Sequence, residues 1–239
     1  MRKTRLLASL MAVVSLSMGA ASALAQNRFQ AGGHFMLGYP QAGFRENVEN
    51  SGLGGNFYFG YRFPRSLLSA GVSLGFLIYG HERHAEPLSW TIPDVIVDVR
   101  TTNSILLCHL FLRLQPARGK VRPYLDGLVG LNYLTTDTSV GDHDDWDDDS
   151  ISSNNLNDLA LSYGMGGGVM ISLVDFINAR DGRRVMSLDL DLGVRYLKGG
   201  EAEYLREGSI HRGDGEVTYD VSRSRTDLLK INIGVTFNF

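Results

Sequence analysis

The stretch LLKINIGVTFNF, residues 228–239, alternates apolar and polar residues to its last position. Leu229, Ile231, Ile233, Val235, Phe237 and Phe239 share one parity, and Lys230, Asn232, Gly234, Thr236 and Asn238 share the other. Side chains alternate faces along a β-strand, so the segment has one greasy face and one polar face. A terminal segment frays unless it is built into a sheet or docked on a core. The stretch is therefore expected to be a strand with both edges paired.

The same period recurs upstream. Over 186–196, Met186, Leu188, Leu190, Leu192, Val194 and Tyr196 oppose Ser187, Asp189, Asp191, Gly193 and Arg195. Over 29–39, Phe29, Phe35, Leu37 and Tyr39 oppose Gln30, Gly32, His34 and Gly38; over 53–63, Leu53, Phe57, Phe59, Tyr61 and Phe63 oppose Gly54, Asn56, Tyr58, Gly60 and Arg62. Residues 71–78 repeat the pattern with Leu77 blurring it, and 106–114 pair a clean apolar face with a mixed one carrying His109, Phe111 and Arg113. Residues 121–133 set Arg122, Asp126, Gly130 and Asn132 against Leu125, Val129 and Leu131, and 159–173 carry a small face of Ser162, Gly164, Gly166, Gly168 and Ser172. That makes eight strands, most of about the ten residues that a tilted strand needs to cross a bilayer.

The bulky apolar face is too large for the inside of an eight-stranded cylinder, whereas the Gly- and Ser-rich polar face fits there. A soluble barrel would reverse the two. The expected fold is an all-β, eight-stranded antiparallel up-and-down transmembrane barrel with its apolar side chains in lipid. Connections alternate in the same sense: short at 64–66, 115–120 and 175–183, long at 40–51, 81–100, 136–157 and 198–225. Short periplasmic turns and long extracellular loops have this rhythm. Phe29, Tyr61, Phe63, Phe237 and Phe239 then sit on the outward parity at one end and Tyr39, Tyr133, Tyr163 and Tyr196 at the other, where interfacial rings belong. A sheet in lipid has no water for a free edge, so the last strand is expected to pair with the first.

Arg2, Lys3 and Arg5 precede an apolar run and Ala23-Leu24-Ala25, the pattern of a secretory signal peptide over 1–25, which leaves 26–239 as the barrel domain. Its removal takes three of the 23 basic residues and none of the 26 acidic ones, for a formal charge of −6. Nucleic acid is not an expected partner of so acidic a chain. The single cysteine, Cys108, leaves the exported chain without an intramolecular disulfide.

With its signal peptide, alternating strands and terminal Gly234-Val235-Thr236-Phe237-Asn238-Phe239, the chain resembles the small outer-membrane barrels of the OmpA/OmpX-like superfamily. The resemblance implies that the last strand, through Phe237 and Phe239, is read by the barrel assembly machinery. Outer-membrane lipid and lipopolysaccharide are the expected surroundings. The expected function is non-enzymatic: envelope integrity, or surface binding and adhesion by the long loops. A lipid-A-modifying hydrolase and a narrow small-solute channel are the alternatives, since one fold hosts many activities.

Inside, Arg62, Arg113 and Arg122 fall near the periplasmic end, Asp126, Asp189 and Asp191 somewhat above, His34 and His109 near mid-height, and Arg195 and Lys230 nearer the outside. Buried charges are costly unless paired, so the first six together with Arg195 are expected to form an interior ion-pair network. In the third long loop, VGDHDDWDDDS offers carboxylates to a divalent cation, although Ser150 and Leu156 stand where a calcium-binding EF-hand loop needs Gly and Glu. His81-Glu82-Arg83-His84 is one residue short of the H-E-x-x-H zinc spacing. Ser209 and His211 are the only hint of a hydrolase, and no cofactor-binding motif is present.

Overall fold

The computed structural model describes residues 28–48, 50–89, 92–142, 151–177, 184–213 and 216–239. For 82–89, 92–99, 138–142, 151–155, 177, 184–185, 206–213 and 216–219 only the backbone is described. The expected signal peptide and residues 143–150 of the acidic loop lie outside these.

Eight antiparallel strands close a barrel: β1 (Phe29–Pro40), β2 (Gly52–Arg62), β3 (Leu68–Ser89), β4 (Ile92–Leu114), β5 (Val121–Asp142), β6 (Ile151–Ile177), β7 (Arg184–Gly199) and β10 (Leu228–Asn238). A short helix, α1 (Ala42–Asn47), follows β1, and a separate hairpin of β8 (Glu201–Gly213) and β9 (Glu216–Arg225) is inserted between β7 and β10. The last strand pairs with the first from Gln30↔Asn238 to Pro40↔Leu228, so the sheet has no free edge.

Each strand keeps the faces read from its period. Phe35, Phe57, Leu110, Leu125, Leu161, Tyr163 and Phe237 are exposed on the outer wall, with Leu161 71% exposed, while Asn56, Ser73, His109, Arg113, Asp126, Asp191 and Lys230 are buried inside. Soluble monomers rarely expose so continuous an apolar surface. The polarity is that of a barrel whose solvent is hydrocarbon. Phe29 stacks on Phe59 at 5.7 Å and on Phe239 at 6.1 Å and meets Tyr61 at 5.4 Å, giving one end of the wall a contiguous aromatic girdle.

Stepping through hydrogen-bonded neighbours from Gln30 passes Gly60, Gly71, Phe111, Leu128, Gly164, Leu197 and Leu228 and returns to β1 at Pro40, ten residues on. Strand tilt and stagger are linked in a closed sheet, so this offset sets the height of every inward side chain. The short turns have local causes. Arg65 takes a left-handed φ of 57° in the β2–β3 turn, and Gly119, at φ 126°, bends the β4–β5 turn where a side chain would be strained.

Three of the four expected long loops are corrected. The described residues of 81–100 and 136–157 are strand: β3 and β4 stay paired to Ser89↔Ile92, and β5 and β6 to Val140↔Ile151. At about 3.3 Å per residue such strands run far beyond a hydrocarbon core of roughly 30 Å. Residues 198–225 finish β7 and form the β8–β9 hairpin. Outside lipid neither face of a strand needs to be apolar, so Thr101, Thr102, Thr135 and Thr136 extend the ladder without the alternation that marks a strand in sequence.

Candidate functional site

The lumen is built from the inward parity of all eight strands, and its lower part is a dense network of charged and polar side chains. Asp126 receives Arg113 through Nε at 2.6 Å and Nη2 at 2.9 Å, and Arg195 through Nε at 3.0 Å and Nη2 at 2.9 Å. Arg113 and Asp126 are direct cross-strand partners, whereas β6 intervenes between Asp126 and Arg195. Arg122 pairs with Asp189, which also accepts Asn238 Nδ2 at 2.5 Å. Asp191 accepts Tyr124 Oη–H at 2.7 Å and lies 2.9 Å from His34 Nε2. Arg62 does not reach a carboxylate; it donates to Gln115 Oε1 at 3.2 Å, beside Gln30.

Two tyrosines that carry no charge organise this network. The Arg113 guanidinium lies 4.0 Å from the Tyr124 ring centroid and 4.9 Å from that of Tyr58, which stacks on His34 at 5.4 Å and accepts Arg113 Nη1 at 3.2 Å. Cation–π contact and a bidentate carboxylate together hold the planar guanidinium in one orientation. Glycines make room: a Cβ at Gly32 would strike the Tyr58 ring and one at Gly193 the Tyr124 hydroxyl. Tyr58 stood on the inward parity in the sequence, but nothing there marked either phenol as a partner of Arg113.

Above this lies a different layer. Lys230 Nζ, Arg195 Nη1, Asn232 Nδ2, Asn56 Nδ2 and both ring nitrogens of His109 are buried without a hydrogen-bond partner. Lys230 is fully buried.

The outer mouth is closed by apolar side chains. Phe44 of α1, wholly buried, meets Tyr79 of β3 edge-on at 5.5 Å and Tyr204 of β8 at 5.2 Å. Leu77, Ile105, Leu107, Leu134, Leu197 and Leu228 pack in the same cluster. In the sequence, Phe44 sat in an expected loop; its only signal was the i, i+4 spacing to Val48, whose N–H bonds back to Phe44 O at 2.9 Å.

Solved structures similar to the chain include three from bacteria. Neisserial surface protein A shares 13% identity at a TM-score of 0.40, over 89% of this chain and 96% of that one. Ail, the attachment invasion locus protein of Yersinia pestis, shares 14% at 0.35, over 89% and 97%. A major outer membrane protein from Thermus thermophilus shares 15% at 0.38, over 88% and 99%. No protein-family model and no curated protein matches the chain.

The remaining candidates lie on other parts of the fold. His81 lies on β3 opposite Thr102, with its Nδ1 3.4 Å from Thr102 Oγ1, so the His81–His84 segment is strand rather than the expected loop. Ser209 and His211 lie on β8, where the ladder shifts register between Leu205 and Ile210, and their side chains are outside the described set. Among the described residues no three His, Cys, Asp or Glu side chains gather as metal ligands. Cys108 is exposed on the outward parity of β4. Outside the wall, a cavity of about 450 Å³ is lined by Tyr39, Pro40, Gln41, Arg45, Ser51, Leu229 and Ile231.

Proposed function

We propose that this chain is a non-enzymatic outer-membrane barrel that acts through its projecting hairpins, in surface binding and adhesion or in envelope integrity. The observation carrying this reading is the occupied lumen: guanidinium–carboxylate pairs fill its lower part and the Phe44–Tyr79–Tyr204 cluster seals its mouth. An eight-stranded interior has room for side chains and little else. What the fold leaves free to meet a partner is the β3–β4 and β5–β6 hairpins beyond the wall. The test replaces 82–99 and 138–155 with tight turns. The trimmed chain should still form a detergent-resistant barrel while cells lose the surface adhesion or detergent tolerance that the full chain confers. Retention of both phenotypes would refute the assignment.

A second reading, binding of an anionic lipid, is favoured by the outer cavity. Tyr39, Leu229 and Ile231 line it from the lipid-facing wall and exposed Arg45 supplies a cation, the pairing that an acyl chain with a phosphate headgroup fits. Lipopolysaccharide or anionic phospholipid co-purified with the barrel should fall on Arg45→Ala, read by native mass spectrometry; an unchanged lipid complement would count against it. The last strand, with Phe237 and Phe239, is proposed as the segment that the barrel assembly machinery reads. Deleting Phe239 should lower the membrane-inserted fraction in cells without preventing refolding in detergent.

A further inference from the structure

Arg113, Arg122 and Arg195 each reach a carboxylate of the lower lumen, whereas Lys230 in the layer above reaches none. Because the wall climbs ten residues in one circuit, His109, Arg195, Asn232, Asn56 and Lys230 fall within about two residues of one height, although four different strands supply them. Lys230 and Arg195 are direct cross-strand partners, Asn232 is two residues along the same face as Lys230, and His109 feels the charge of both cations. Gly75, Gly130 and Gly164 face inward near this level and add no side chain. Leu77, Leu107, Leu197 and Leu228 roof it.

The layer is rich in idle donors, although the amide oxygen of Asn232 is idle too. Its unpartnered atoms include Lys230 Nζ, Arg195 Nη1 and the amide nitrogens of Asn56 and Asn232, all donors. The carboxylate that acts on Lys230 is Asp126, whose two oxygens are already engaged by Arg113 and Arg195. Below the mouth, the described inward-facing wall holds five cations, Arg62, Arg113, Arg122, Arg195 and Lys230, against the three carboxylates Asp126, Asp189 and Asp191. A buried cation without a counter-charge is costly, and an acceptor that carries negative charge answers both the charge and the idle donors.

We propose that this layer is a binding site for a small inorganic anion of halide size, held by Lys230 with Arg195, Asn232 and Asn56, and closed off by the leucine roof. The small size follows from the filled floor and the roof, and monovalency from Lys230 being the one cation of this layer without a carboxylate.

The test uses the intact barrel, refolded in detergent in either sodium bromide or sodium gluconate and crystallised from the same salt. At the bromine absorption edge the bromide form should show an anomalous peak within hydrogen-bond distance of Lys230 Nζ, and Lys230→Met should abolish it. The thermal midpoint of the wild type should rise with bromide at constant ionic strength, as ligand linkage requires, and that rise should vanish in Lys230→Met. A wild-type map with water alone in the layer, or a bromide peak or halide-dependent midpoint that survives Lys230→Met, would overturn the site. If the variant fails to fold, the wild-type anomalous map decides alone.

Discussion

Two levels of one lumen, built from the same strands, treat charge in opposite ways. Around Asp126 each ionised group has several partners, and the aromatic faces of Tyr58 and Tyr124 fix Arg113 between them. A few residues higher up the wall, Lys230 Nζ and the His109 ring nitrogens have none among the protein atoms. The contrast teaches that burial alone does not determine what a charge contributes. Removing one member of a satisfied pair strands the others, whereas removing an unsatisfied charge relieves a cost.

The sharpest break of the comparison is Asp126→Ala, which leaves two buried guanidiniums facing each other. It should lower unfolding stability by about 3–5 kcal/mol or more, read from urea titrations of the barrel in lipid by its heat-modifiable gel mobility. Phe44→Ala attacks the seal instead of the network. A cost of about 3 kcal/mol is expected for truncating a buried aromatic, with single-channel events above background in planar bilayers, where the wild type should be silent. Lys230→Met should run the other way: in halide-free buffer its stability should equal or exceed wild type by about 1 kcal/mol, because an apolar side chain of similar length replaces an uncompensated charge. A loss of several kcal/mol would show that Lys230 has a protein partner and erase the difference between the two levels. Glu201→Ala supplies the baseline. Its 3.0 Å pair with Arg223 is more than 60% exposed on both sides, so the change should stay within about 0.5 kcal/mol.

Faces and pairings were not equally legible. The side each residue of the wall turns to lipid followed from period two, down to Leu77, whose disruption of the pattern marks an apolar side chain that turns inward to help roof the lumen. The charged residues could be assigned to the interior but not to one another: Arg122 finds Asp189 two strands away across β6, and Arg62 finds Gln115 and no acid. Stretches such as Thr101-Thr102 and Thr135-Thr136 give no alternation to read, yet β3–β4 and β5–β6 keep their ladders well past the wall. Phe44 was the least visible, since a single aromatic in a polar segment carries no period.

What the sequence determined by itself is which way each side chain of the wall points. Parity is local, set by the alternation of neighbouring peptide units, and hydrocarbon outside with a narrow interior leaves one choice of face. Only the closed structure decided which inward residues share a height and which connection folds into the mouth. Height is the sum of eight registers around a ring that must meet itself ten residues along, and no short stretch of chain contains that sum.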